Sequence, residues 1–352
     1  MITKVFNVDP ENLLKSENEL KYAAEIISNG GLVAFPTETV YGLGADGTNS
    51  DAAKKIFSAK GRPSDNPLII HLAKPEDAEK YTYTNKTFYN LAHKFMPGPL
   101  TVVLPSKDTV PQETRGGLST VAVRVPVNPI ARKLIELSGK PIAAPSANLS
   151  GSPSPTDASH VIDDMMGRIE VIIDGGRCDI GLESTIVKIE DDGSLLLLRP
   201  GKITVDELAC IAHVSLADAV VDKLDEGEVA LSPGMKYRHY APSSPLVLLD
   251  GPLNLAVEYA RGENLKKIAF IAYSDDKKYI MEHLSSADLY LLGERDDVNQ
   301  QAHALFAVLR EVDKHCYDKI YAPIPSMEGV GLALYNRLIR ASAHTIINLR
   351  QG

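Results

Sequence analysis

The sequence predicts an α/β protein of two domains, and three observations carry that prediction. Up to about residue 205, short β-branched and leucine-rich runs (GLVAFP, PLIIHLA, PLTVVLP, TVAVRVP, IAAPSA, VIIDGG, STIVKIE and LLLLRPG) alternate with helix-like stretches. So many β-prone runs imply one large sheet. Beyond Pro245, strand and helix patterns alternate strictly, which calls for a parallel sheet with helices on both faces. Between the two, an acidic run from Asp218 to Glu228 leads into SPGMKYRHYAPSSP, whose Pro233, Gly234, Pro242 and Pro245 bar a continuous helix or a central strand. The domains so read are 1–205 and 246–352, with a linker over 206–245.

In the first domain, helices are expected over Glu17–Ser28, closed by Gly30 and Gly31, and over Ser50–Ala59, Lys86–Phe95 and Pro129–Ser138. Several of the strand runs end in Gly, Pro, Ser or Asn rather than in hairpin dipeptides, so loops with functional potential sit at strand ends. In the second domain, PLVLLD, KIAFIAY, DLYLLG and KIYAPI interleave with helices at 253–261, 275–284, 297–314 and 331–342. That is a small Rossmann-like pattern, but DGPLNL stands where a dinucleotide site needs GxGxxG. The glycines of GVGLALYNRLIRAS either open a helix onto an anion or form a tight loop into a packed helix. No internal repeat or low-complexity tract is present.

With 352 residues, the chain is long for one core and comfortable for two. A net charge of -9 excludes a nucleic-acid binder held by bulk charge and leaves room for a local basic cleft. The 3 cysteines, Cys178, Cys210 and Cys316, form no CxxC pair, which argues against zinc, iron–sulfur and disulfide frameworks and for buried or idle thiols in a reducing compartment. The N-terminal segment has no signal-like apolar core, and no run of about 18 apolar residues occurs, so a cytoplasmic protein away from membranes is expected.

The densest chemical signal is KGRPSDNP, Lys60 to Pro67. It holds Lys60 and Arg62 one residue apart on a segment that Gly61, Pro63 and Pro67 keep irregular, between a helix and a strand. Two cations aimed from a rigid scaffold suit polyphosphate, with Arg as a bidentate fork and Lys as a point charge; a solvated basic loop explains these eight residues equally well. Ser146-Ala147-Asn148 after IAAP offers a hydroxyl and an amide on a turn, and Pro36 to Gly42 offers two hydroxyls, a carboxylate and a phenol, or else a turn ahead of a packed Tyr41. Arg124 in TVAVRVP is either a solvated face residue or a partner for a substrate carboxylate, and Arg199 ends its strand where a phosphate could meet it. His71 sits in an apolar strand, where a hydrogen-bonded core histidine is the usual explanation, and Glu183 reads as a structural carboxylate. Tyr237, Arg238, His239 and Tyr240 make a polar-aromatic cluster suited to stacking on a base or lying across a ligand. No GxSxG, HExxH, Walker A or CxxC sequence occurs, so the site reads as one that positions reactants and stabilises charge.

In order along the chain, AFPTETVYGLG, KGRPSDNPL, PGPLTVVL, TVAVRVP, PIAAPSANLSG and GLESTIV closely resemble the YrdC-like threonylcarbamoyl-AMP synthases, and the second domain joined through PGMKYRHYAP resembles the long form of that family. The resemblance implies a YrdC-like twisted mixed sheet followed by the Rossmann-like domain. It also implies synthesis of L-threonylcarbamoyl-AMP from L-threonine, bicarbonate and ATP, with pyrophosphate released. The product would serve a separate tRNA threonylcarbamoyl transferase acting beside the anticodon of tRNAs that read ANN codons, and a weak tRNA contact is compatible with this. Carried over by motif, Thr37, His71, Arg124, Ala144 and Ser184 would hold threonine, while Lys60, Arg62, Asn66, Thr120, Ser146, Asn148, Ser154, Arg199 and Tyr237 would hold ATP. Tyr237 and His239 would form a lid that shields a labile carbamate from water. Mg2+ would travel with ATP and the protein itself would hold no metal. Two other readings are weighed against this one. The carbamoyl-adenylate module of hydrogenase-maturation proteins lacks its usual acylphosphatase and CxxC companions here, and a non-catalytic RNA-binding module fits poorly with the acidic charge.

Overall fold

The computed structural model describes residues 1–220 and 240–350. The chain divides into two compact units, Met1–Ser150 with Ser154–Tyr237, and Gly151–Pro153 with Arg238–Gly352.

The first unit is built on one mixed sheet. In chain order its strands are β1 Lys4–Asn7, β2 Val33–Phe35, β3 Gly42–Asp46, β4 Ile69–His71, β5 Leu100–Pro105, β6 Thr120–Arg124, β7 Ile142–Ala143, β8 Val171–Asp174, β9 Thr185–Ile189, β10 Leu195–Arg199 and β11 Val214–Leu216. They lie side by side as β1-β8-β2-β3-β7-β4-β6-β5-β9-β10-β11. The eight apolar runs supply β2 and β4 to β10. Three strands were not anticipated: β1, β3 and β11. The last of these pairs in parallel with β10, and the helix Val205–Ala209 precedes it, so the start of the segment read as linker is built into the first sheet.

Capping explains why the helices of this unit fall where the sequence places them. The Asn49 side chain accepts from the backbone N–H groups of Asp51 and Ala52 and opens the helix Ser50–Lys60, Asn85 does the same for Lys86–Phe95, and Asn128 for Pro129–Ser138. The helices Glu17–Ser28 and Pro129–Ser138 lay Leu20, Ala24, Ile27, Ile130, Leu134 and Ile135 against Val33, Phe35, Ile142 and Ile173 in one apolar cluster. That burial of aliphatic surface is the main force holding this end of the sheet together.

The second unit has strands β12 Leu246–Asp250, β13 Ile268–Ala272, β14 Asp288–Leu291, β15 Lys319–Pro323 and β16 Ile346–Asn348, all parallel in the order β14-β13-β15-β12-β16. Helices Leu253–Gly262 and Lys277–His283 share an apolar cluster with Val247, Leu249, Phe270 and Tyr321. The longer helices Val298–Asp313 and Gly331–Ala341 contact each other, as right-handed crossovers running in the opposite direction require. The helix expected at 275–284 begins with a 3-10 turn over Ser274–Asp276, and β16 is an addition to the sequence reading. GVGLALYNRLIRAS is the start of a packed helix: Leu332, Ala333, Leu334, Arg337 and Leu338 are all buried.

Candidate active site

The two ordered motifs of the first unit meet through a lysine. Lys60 is the last residue of its helix, which Gly61 stops in left-handed backbone at φ 62°. Its side chain is only 2% exposed. Nζ donates to the carbonyl oxygens of Ser146 and Asn148, both at 2.5 Å, while the Lys60 carbonyl accepts from Ser150 N at 2.9 Å. A buried ammonium demands such partners, so this lysine clamps the Ser146 turn onto the basic loop as well as charging it. In the turn itself, Ser146 Oγ donates to Asn148 Oδ1 at 2.5 Å and Asn148 Nδ2 donates to the Leu149 carbonyl at 2.7 Å. Arg62 curls back on its own loop, Nη2 donating to the carbonyls of Asn66 at 3.4 Å and Pro67 at 3.2 Å. Asn66 is 1% exposed and its Oδ1 has no hydrogen-bond partner among the described residues, an acceptor that suits a donor from a ligand.

His71 and Arg124 lie at the other end of β4 and β6, where the Arg124 side chain meets the turn that follows β2. Parallel pairing of β4 with β6 sets Ile69 beside Ala122 and His71 beside Arg124, which carries Thr120, half-buried, to the end where the basic loop enters β4. At a rise of about 3.3 Å per residue, Thr120 and Arg124 stand roughly 13 Å apart along β6. Arg124, read as either solvated or cleft-facing, is buried at 4% exposure. Its Nη2 donates to Glu38 Oε1 at 2.6 Å and its Nε to the Gly98 carbonyl at 3.4 Å. Glu38, buried as well, accepts from Val127 N through Oε2 at 3.3 Å. Thr37 Oγ1 donates to the Val40 carbonyl at 2.6 Å and lies 2.8 Å from Thr39 Oγ1, which shapes the turn after β2. His71 Nδ1 lies 3.3 Å from the Ile142 carbonyl, and burial, then the nearby Arg124 charge, hold its pKa down at about 3, so the imidazole is neutral at physiological pH. Ala144, just past β7, is buried, its N–H donating to the Ile69 carbonyl at 2.9 Å.

Ser184 joins several of these residues. Its Oγ lies 2.7 Å from Thr101 Oγ1, and Arg199 donates to it twice, Nη2 to Oγ and Nε to the carbonyl, both at 3.1 Å. The neighbouring Glu183 accepts from Ser154 Oγ at 2.6 Å. Ser154 and Arg199, expected with ATP, therefore stand next to Ser184, expected with threonine. Tyr237 and His239 lie outside the described residues. Sequence reasoning passed over Thr101 altogether and saw Glu38 only as a carboxylate in a turn. The pairing of Glu38 with Arg124 spans 86 positions, and no local pattern reports it. Tyr41 is fully buried, its OH donating to the Gly176 carbonyl at 2.6 Å and its pKa pushed up chiefly by burial, which places it in the core.

Of the cysteines, Cys178 is buried and Cys210 and Cys316 are exposed, all as free thiols. Among the described residues no cluster of His, Cys, Asp or Glu is built to hold a metal ion, and no helix is long and apolar enough to cross a membrane.

The first unit is thus a mixed α/β domain with cations and hydroxyls grouped along the central strands of its sheet. Residues 25–201 match the family model described as Telomere recombination, and residues 203–343 match the Threonylcarbamoyl-AMP synthase, C-terminal domain. A threonylcarbamoyl-AMP synthase of Pyrococcus abyssi is 44% identical, covering 95% of this chain and 96% of that protein, and one of Bacillus subtilis is 42% identical, covering 99% and 100%. The crystal structure of P. abyssi Sua5 complexed with L-threonine superposes with a TM-score of 0.88 at 42% identity, over 98% of this chain and 99% of that one. The chain belongs to the threonylcarbamoyl-AMP synthase family, in its two-domain form.

Proposed function

We propose that this chain makes L-threonylcarbamoyl-AMP from L-threonine, bicarbonate and ATP and releases pyrophosphate, supplying a separate transferase that modifies adenosine beside the anticodon of tRNAs reading ANN codons. The observation that carries the reading is the Lys60 clamp, which joins KGRPSDNP to Ser146-Ala147-Asn148 and so brings the two ordered motifs together.

The neutral threonine amine attacks carbon dioxide derived from bicarbonate, forming an N–C bond, and the proton it loses combines with the hydroxide that bicarbonate releases, leaving as water. The resulting carbamate oxygen attacks the α-phosphorus of ATP, the bond to the bridging oxygen breaks, and that electron pair leaves with pyrophosphate. Arg124 takes the threonine carboxylate, oriented by Glu38, with Thr37, Ala144 and Ser184 around the substrate and His71 as a neutral wall. Lys60 and Arg62 offset charge growing on the phosphates and leaving group, and Asn66, Thr120, Ser146 and Asn148 take the remaining polar groups of ATP. Ser154 and Arg199 reach the nucleotide from beside Ser184. Mg2+ enters as part of the nucleotide substrate and neutralises phosphate charge. The span of roughly 13 Å between the two ends of β6 suits a ligand with a carboxylate at one end and a phosphate at the other.

The segment with Tyr237 and His239 acts as a lid over the carbamate, a role that rests on the family resemblance and on its aromatic and proline content. Tyr237→Ala should lower turnover and weaken ATP binding, and unchanged values for both would end that idea. The reaction itself is tested by pyrophosphate release from ATP with threonine and bicarbonate omitted in turn. Release requiring both is expected; release indifferent to threonine would overturn the assignment.

A further inference from the structure

The second unit contains a cavity that the reaction above does not use. It encloses about 270 Å³ at the carboxyl ends of β12, β13 and β15, with Leu249, Pro252, Phe270 and Ala322 among its walls and Asp276 and Arg295 at its polar side. The chain leaves β13 for the edge strand β14 and leaves β15 for β16 on the other side, so the helices that follow lie on opposite faces and a crevice opens between the two strand ends. Open α/β sheets take their ligands at such a switch point.

The polar side is firmly set. Asp276 is 7% exposed, and Arg295 Nη2 donates to both its oxygens, at 2.6 and 2.8 Å. The guanidinium stands 4.5 Å from the centre of the Tyr273 ring, and Arg295 N donates to Asp275 Oδ2 at 2.8 Å. Only Nη2 is engaged; Nη1 and Nε make no hydrogen bond among the described residues, and the Arg295 side chain is 51% exposed. Half of a pre-oriented donor fork is thus available to an oxyanion. The helix Leu253–Gly262 starts at the same mouth, with Pro252 as its N-cap and no side chain on its first amides, which adds partial positive charge there. The remaining lining carries no hydroxyl or amide side chain, so a sugar or a nucleobase would bury its polar edges unpaired.

We propose that this crevice binds a small carboxylate with an apolar body, its oxyanion on Arg295 and its hydrocarbon against Leu249, Phe270 and Ala322. Both a simple acid and an apolar α-amino acid belong to this class, since an α-ammonium would meet Asp276. The site lies wholly in the second unit and its test reads binding, so it stands or falls apart from the reaction proposed above.

The test uses the full chain with L-threonine saturating, so that any threonine site in the first unit is filled. The probes are 3-phenylpropionate, L-phenylalanine, AMP and inorganic phosphate, read by calorimetry and ligand-observed NMR. Binding of either phenyl carboxylate at millimolar concentration or below is expected, with Arg295→Gln weakening it at least about tenfold. Leu253→Trp, which blocks the mouth and spares the ion pair, should do the same. Tighter binding of L-phenylalanine than of 3-phenylpropionate would identify an amino-acid site, and the reverse a simple-acid site. Three results would overturn the proposal: no carboxylate binding, carboxylate binding unchanged in both variants, or AMP binding that Arg295→Gln abolishes.

Discussion

Glu38→Gln isolates the contribution of the buried ion pair to both fold and substrate binding. Arg124 and Glu38 are 4% and 3% exposed and approach to 2.6 Å. At an effective dielectric constant of about 20 their attraction is roughly 6 kcal/mol before desolvation, and stranding one partner of such a pair typically costs about 3–5 kcal/mol. Glutamine keeps one acceptor for Nη2 and recovers about 1 kcal/mol, which leaves a net loss near 3 kcal/mol. Arg124 then loses the group that aims it, and forfeiting one charge-assisted bond to the threonine carboxylate, about 1.5–3 kcal/mol, should raise KM for threonine by roughly 10- to 100-fold while KM for ATP stays within about twofold. The assay pairs urea denaturation with pyrophosphate release against threonine concentration for the wild type, Glu38→Gln, Arg124→Gln and the double variant. A coupling energy of at least about 1.5 kcal/mol is expected from the cycle, because the double variant buries no lone charge. If Glu38→Gln were destabilised by less than about 0.5 kcal/mol and kept its threonine KM, the positioning role would be refuted.

Two further outcomes follow from the same geometry. His71 has its pKa held down from 6.5 to about 3, chiefly by burial. The unfolded chain therefore takes up a proton below pH 6.5 that the folded protein refuses, and stability, complete above that pH, should fall by about 1.4 kcal/mol per unit below it, or about 2 kcal/mol by pH 5. His71→Phe should remove that share of the slope in urea midpoints measured at pH 7 and pH 5; equal losses in variant and wild type would count against it. Gly116 sits at φ 61°, where a Cβ would stand 2.9 Å from Pro67 N and 3.1 Å from the Asp65 carbonyl. Gly116→Ala must strain the turn or push the end of the basic loop aside, at about 1–2 kcal/mol, so ATP KM should rise several-fold with threonine KM unchanged, and an unaltered ATP KM would show that the loop yields freely.

What could be read in the sequence was what local chemistry encodes. The helix Lys86–Phe95 starts where Asn85 supplies an acceptor to Phe88 N, and its apolar spacing is visible without any tertiary knowledge. β3 escaped notice because GLGAD carries two glycines, poor strand formers that tertiary pairing with β2 and β7 overrides. β1 is four residues with a mostly exposed pattern, held by pairing with β8 and by Phe6, which packs on the core cluster and edge-on to Tyr22. In the site, Lys60, Arg62, Ser146 and Asn148 were legible as motifs, but the direction of the lysine was not. An ammonium expected to face phosphate spends two bonds on carbonyls contributed by residues 86 and 88 positions away. Arg124 was ambiguous for the same reason, since the carboxylate that settles its burial belongs to another turn.

The pairing of β1 with β8 has a consequence for how the protein is made. Lys4 stands opposite Val171, so β1 has no sheet neighbour until 167 further residues have been polymerised. At roughly 5–20 residues per second that is a wait of about 8–33 s, during which Val5 and Phe6 travel with an unpaired strand edge. β1 occupies the rim of the sheet beside β8, and its Phe6 packs against the apolar cluster that helix Glu17–Ser28 makes with β2 and β8, so this end of the core is complete only once β1 is in place. Completion of this edge therefore waits on residues far along the chain, and a chaperone that meets the nascent chain before they are made would find β1 with its strand edge open.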